Sequence, residues 1–381
     1  MIQEWLNLVL DVVVMVIAAL LTTLAVQLRS NSAFAGASLF TLVSFGENLS
    51  GIVIYYTRLE TSIGAVARLK AFNETVRPED RDDEDLVPPE QWPHSGIIEF
   101  NGVSATYRPA AGDDETDTGS NTQPNLTLRD IRLTIHAGEK VAICGRTGSG
   151  KSSLIALLLK LLDPISETSA DDNHNANAIT IDQTPLRRIN RAALRERIIA
   201  VPQEAVFLPD GSTVQANLDP SGACTPKECQ AVLEAVGLWA FVQDRGGLAA
   251  GMCAGTLSAG QRQLLSLGRA VLRGRVRARC GGNDAGLGLG GSSGSACGGI
   301  LLLDEVSSSV DRETERVMQE IIAAEFKRYT ILAVSHRLDM IMDFDTVVVM
   351  DRGKIVEVGK PVVLVAQAGT RFGNLVAAGA S

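Results

Sequence analysis

The stretch GRTGSGKS, Gly145 to Ser152, restricts the fold more than any other part of the chain. It matches G-x-x-x-x-G-K-[ST], a phosphate-binding loop that works only between a strand and a helix. Both flanks fit. EKVAIC, ahead of it, reads as a short apolar strand, and SLIALLLKLL, behind it, as a helix. Gly145, Arg146, Thr147, Gly148, Ser149 and Gly150 can wrap backbone N–H groups around phosphates at a helix N-terminus. Lys151 is placed to reach the β- and γ-phosphates and Ser152 to ligate magnesium, with Ser153 next in the same cradle. A complementary piece, ILLLDE, spans Ile300 to Glu305. Its four apolar residues suit a parallel strand buried on both faces. At its end Asp304 can hold Mg2+ through water, and Glu305 can polarise an attacking water as a general base. From Ile97 onward strand-like and helix-like segments alternate. The expected fold is an α/β P-loop NTPase with a largely parallel sheet.

The start of the chain is of another kind. WLNLVLDVVVMVIAALLTTLAVQL runs from Trp5 to Leu28, and a second apolar stretch runs over 33–57. About 20 residues of helix cross roughly 30 Å of hydrocarbon. The pattern predicts spans at 5–28 and 33–57 joined by the polar turn RSNS, an all-α transmembrane hairpin ahead of the nucleotide domain. A signal peptide fits poorly, because no basic region precedes the first stretch and a second apolar stretch follows it. Asp11 lies in the first turns, near headgroup depth, whereas Glu47 is deeper and is expected to face other helices or a wet cavity. Beyond Tyr56, the residues Leu59, Ile63, Val66 and Lys70 keep helical spacing, so an amphipathic extension is expected over 58–76. Arg58, Arg68 and Lys70 put that end in the cytosol.

Residues 77–95 are acidic and proline-rich and read as a linker, leaving 1–76 as a partial membrane domain and 96–381 as the nucleotide-binding domain. The formal net charge of −9 argues against nucleic acid as a partner. Six cysteines without a CxxC pair, and only four histidines, give no disulfide framework or zinc site. Cys144 reads as a small buried hydrophobe. Three stretches, 109–125, 166–178 and 276–299, are acidic, polar or glycine-rich and are expected to be mobile insertions. The last contains GLGLGG, a G-x-G-x-x-G string without the strand and helix that would give it meaning.

LSAGQRQLLSLGRAVLR, Leu257 to Arg273, resembles the signature stretch of ATP-binding-cassette (ABC) proteins, usually LSGGQ, with Ala259 in place of a glycine. A helix N-terminus built from small residues is an anion seat. The resemblance implies that Ser258, Ala259, Gly260 and Gln261 act on the γ-phosphate of an ATP held by another cassette, while Leu264, Leu265 and Leu267 are core. It also implies that Gln203 in AVPQEAVF is the Q-loop residue at magnesium, and that Asp311, ending SSVD, belongs to the D-loop. His336 in AVSHRLD would be the switch histidine at the γ-phosphate, and Tyr107 the aromatic stacked on adenine. LETSIGAVARLKAF, PPEQWP, TYRP, ANLDP and SAGQRQLLSLGRA resemble the last membrane helices and second cassette of subfamily C, the multidrug-resistance-associated transporters.

That resemblance implies the C-terminal part of an ATP-driven exporter working with ATP and Mg2+. The site built on Lys151 and Glu305 would be the hydrolysing one. Its partners would be a second cassette, further transmembrane helices, membrane lipid, and a cargo of amphipathic organic anions, conjugates or drugs. The chain would be an integral protein of plasma or vacuolar membrane with its nucleotide domain in the cytosol. Two spans alone form no translocation path, so a membrane-anchored ATP-binding regulator or remnant is the alternative. A soluble kinase-like enzyme would carry neither the signature stretch nor the hairpin.

Overall fold

A computed structural model describes residues 2–27, 32–76, 79, 81, 83–107, 126–165, 178–282, 298–306, 310–335, 337, 341–367 and 369–379. The chain divides into two compact units, Met1–Glu79 and Asp80–Ser381.

The first unit is a pair of helices, α1 (Ile2–Gln27) and α2 (Ser32–Thr75). Each contains a stretch long and apolar enough to cross a membrane, Leu8–Gln27 and Gly36–Thr75. α2 is one unbroken helix of 44 residues through both the second apolar stretch and its amphipathic extension. Where the two helices meet, Gly46 is buried, and a Cβ there would sit 2.9 Å from Val14 Cγ2. Small residues of this kind let helix backbones approach closely. Asp11 and Glu47 are exposed on the hairpin, beside apolar side chains such as Leu20 and Phe40 that have no cover within the unit.

The second unit runs in chain order through β1 (Ile98–Ala105), β2 (Leu128–Ile135), β3 (Lys140–Gly145), α3 (Lys151–Leu158), β4 (Ile179–Ile181), β5 (Thr184–Pro185), α4 (Arg191–Arg197) and β6 (Ile199–Val201). Helices α5 (Val214–Leu218), α6 (Pro226–Ala235), α7 (Trp239–Gln243) and α8 (Ala259–Gly282) follow. The chain ends with β7 (Gly299–Asp304), α9 (Arg312–Glu325), β8 (Tyr329–Val334), β9 (Thr346–Asp351), β10 (Lys354–Gly359), α10 (Pro361–Ala366) and α11 (Arg371–Gly379).

Six strands form the central sheet, in the order β10-β9-β3-β8-β7-β6. All its neighbours pair parallel except the edge strand β10. β7 and β8 are buried along nearly their whole length, as apolar runs covered on both faces must be. A second sheet, β2-β1-β4-β5, is antiparallel. Its strand β2 mixes buried and exposed residues, unlike the parallel strands. Phe100, Ile131, Leu154 and Ile300 belong to one apolar core that joins this sheet, α3 and the central sheet. A second core gathers Leu265, Leu267, Val232 and Phe326 with the other face of β7 and β8. The turn between β4 and β5 is tied to the entry of β1, where Asp182 accepts hydrogen bonds from Ser95 Oγ, Ser95 N and Ile97 N.

Two expectations need correction. The acidic stretch 77–95 is not a linker along its length, because residues 83–95 belong to the second unit and are bonded within it. Glu84 lies almost fully buried between Lys160 Nζ at 2.9 Å and Arg191 Nε at 2.7 Å. Asp83 pairs with Arg187, Asp85 with Arg188 and Arg81 with Asp163, while Leu86 bridges Ile189 in parallel. Trp92 is buried in the core. Acidic side chains here meet a basic run, RRINR, so charge that reads as solvated is paired. The second correction concerns 276–299: helix α8 continues to Gly282, and Gly299 already belongs to β7. Residues 283–297, including GLGLGG, lie outside the described residues, as do 109–125 and 166–177.

Candidate functional site

The site forms where β3, β7 and β6 end. Gly145 closes β3 with φ at 149°, and a Cβ there would come within 2.2 Å of the Met350 carbonyl oxygen. Gly150, at φ 100°, turns the loop into α3 against Leu128. Both positions therefore demand glycine. Between them the loop arches over Lys151, whose buried ammonium donates to the carbonyls of Gly145 and Arg146 at 3.1 Å each. Burial pulls this lysine below its usual range, against the opposing influence of Glu305, Cys144 and Asp304. Cys144, beneath the loop, is buried and its thiol is pushed up to about 12 by burial. It is an inert packing residue.

Ser152 Oγ donates to Asp304 Oδ1 at 2.9 Å. This places a hydroxyl and a carboxylate side by side, the hard oxygen set that suits Mg2+. Burial pushes the Asp304 carboxyl above its usual range; the Ser152 bond opposes the shift and neighbouring Glu305 adds to it. A cation at this point would relieve that cost. Glu305 follows with φ at 47°, a left-handed conformation uncommon for a non-glycine residue. Its N–H donates to the Val334 carbonyl, and Gln203 Nε2 donates to its Oε2 at 3.3 Å. Tyr107, mostly exposed, donates through its hydroxyl to Ser153 Oγ at 3.3 Å. The structure thus brings Tyr107, the loop, Ser152, Ser153, Gln203, Asp304 and Glu305 into one linked group.

The start of the signature stretch, Ser258 to Gln261, forms a separate cluster. Ser258 Oγ accepts from the Gln261 N–H at 3.1 Å, and Gln261 Oε1 accepts from the Ser258 N–H at 3.0 Å. These reciprocal bonds are a capping box at the start of α8. Ala259 and Gly260 sit in its first turn, and Gly260 lies against Val310 and Thr314. Leu265 and Leu267 are core, with Leu264 packed at its margin. Asp311 caps α9, accepting from Thr314 N and Thr314 Oγ1. Those bonds hold its carboxyl below the usual aspartate range. His336 lies outside the described residues, but its neighbour Arg337 bonds the Val310 carbonyl and Glu315.

Two polar residues escaped sequence reading. Gln263 is buried in α8 and donates to the Gln203 carbonyl at 2.6 Å. Lys160 closes α3 with φ at 51° and is buried with Glu84. Gln263 lay open to detection as a long polar residue, with Ser266, on the buried side of a helix rich in leucine.

Comparison with known proteins accords with this geometry. Residues 128–276 match the ABC transporter family model. The ABC-type transporter braE of Annulohypoxylon truncatum is 60% identical over 389 residues, covering 100% of this chain and 25% of the relative. The ABC transporter FGM5 of Gibberella zeae is 51% identical over 381 residues, covering 98% of this chain and 24% of the relative. The chain spans about a quarter of the length of the curated relatives it matches. A solved bacterial Atm1-family ABC exporter shares the fold with a TM-score of 0.62 at 21% identity, over 92% of this chain and 52% of that one.

Proposed function

From a chain that carries an ABC transporter nucleotide-binding domain behind two helices of membrane-crossing length, we propose the ATP-hydrolysing C-terminal part of a subfamily C exporter. The observation that carries the reading is the linked group of Lys151, Ser152, Asp304, Glu305 and Gln203 at the ends of parallel strands. In this reading the N–H groups of residues 145–151 and the Lys151 ammonium hold the phosphates, and Tyr107 takes the adenine. Ser152, Asp304 and Gln203 would hold Mg2+, which would supply neutralisation of phosphate charge when bound. Glu305 orients a water and accepts its proton as the water attacks the γ-phosphorus, the bond from that phosphorus to the β-phosphate oxygen breaks, and ADP and inorganic phosphate leave; His336 contacts the γ-phosphate. Ser258, Ala259, Gly260 and Gln261 complete the site of a second cassette, with Asp311 at the junction. Hydrolysis is coupled to membrane export of amphipathic organic anions, conjugates or drugs, through further helices supplied by the same longer chain or a partner. The cassette faces the cytosol.

The test uses this chain assembled with a second cassette and the remaining helices, in detergent, scored for ATP affinity and phosphate release. Glu305→Gln should keep ATP affinity and lose turnover about a hundredfold or more; undiminished turnover removes Glu305 from the role. Lys151→Ala should weaken ATP binding, and parental affinity would reject the phosphate-loop assignment.

A further inference from the structure

Gln263 lies in α8, one turn beyond the capping box of Ser258 and Gln261. The residue is 7% exposed. Nε2 donates to the backbone carbonyl of Gln203 at 2.6 Å. Oε1 is buried and has no hydrogen-bond partner among the described residues. A methionine or leucine would fill this space without stranding a carbonyl oxygen. The amide therefore supplies something packing does not need, a fixed position for the Gln203 peptide unit. From that same residue the side chain reaches Glu305 Oε2 at 3.3 Å. Two side chains and one backbone unit thus join the first turns of the signature helix to the carboxylate at the end of β7.

We infer that Gln263 is a positioning residue that sets the aim of Glu305 through Gln203, so that movement of the signature helix on one ATP is felt at the hydrolytic carboxylate of the same cassette's own site. Gln263 touches neither nucleotide nor metal in this arrangement. Its effect passes through the Gln203 backbone. The inference rests on the ATPase reading above.

The experiment measures ATP Kd, kcat, KM and thermal unfolding of the full chain with Gln263→Met, Gln203→Ala, the double variant, and Glu305→Gln as reference. Gln263→Met should keep ATP Kd and unfolding temperature and lose kcat about ten- to a hundredfold, the range that small misplacement of a reacting group produces. The double variant should be no slower than Gln203→Ala alone, because both act along one route. Gln263→Asn, polar but too short to reach the Gln203 carbonyl, should repeat the kcat loss and serves if the methionine variant unfolds. Parental kcat in the Gln263 variants, or losses that multiply in the double variant, overturn the positioning role while Glu305→Gln remains inactive. A parent chain that, assembled with its second cassette and remaining helices, binds ATP without hydrolysing it, or a Glu305→Gln chain at parental rate in that assembly, overturns the ATPase reading and the inference with it.

Discussion

At the scale of single residues, Asp182 gives the sharpest pH signature. Burial works to raise its carboxyl, and the hydrogen bonds from Ser95, Ile97 and Gly96 more than reverse this, holding it below the usual aspartate range. A depressed pKa stabilises the fold above the unfolded value of about 3.9, and the gain is lost as pH falls through the folded value. Asp182→Asn should therefore lose less thermal stability than the parent on acidification from about pH 5 to about pH 3; parallel acid curves would show that the carboxylate contributes nothing there. What sequence reading could see at this scale was set by contiguity. The phosphate loop and the Asp304–Glu305 pair announce themselves in short strings. Gln263 and Glu84 do not, because their partners lie 60 and 107 positions away and one of those partners is a backbone carbonyl, which any residue could supply.

At the scale of elements, parallel strands and the long helices were legible because apolar runs and helical spacing reflect burial directly. The antiparallel sheet β2-β1-β4-β5 was less so. β4 and β5 are only three and two residues long, too short for a period to register. The end of α8 was misplaced for a related reason: VRARCGG carries glycine and arginine but continues the turn of the helix before it. The start of α8 bears a prediction. Ser258 is both the first small residue of the signature stretch and the N-cap of a helix of 24 residues. Ser258→Ala should lower the unfolding free energy without nucleotide by about 1 kcal/mol, read from the urea midpoint. A midpoint equal to the parent's would mean that the capping box carries no stability.

At the scale of the molecule, Glu84 ties the start of the second unit to Lys160 at the far end of the phosphate-loop helix, and Asp83 and Asp85 tie it to Arg187 and Arg188. Lys160, at that end, donates also to the carbonyls of Arg187 and Ile189, and Arg191 donates to the Lys160 carbonyl. Removing one member of a buried charge cluster strands the others, at about 3–5 kcal/mol. Glu84→Ala should destabilise the second unit by that order in urea unfolding, and a loss under about 1 kcal/mol would place the cluster with ordinary surface pairs. The same cluster governs how the molecule can be dissected. Motif boundaries suggest cutting at Ile97, where the first strand is about to begin. A fragment cut there leaves Lys160 and Arg191 facing one another without their shared counterion and takes Trp92 out of its core. A fragment cut ahead of Arg81 carries its own clasp and is the smaller piece of this protein that should stand alone.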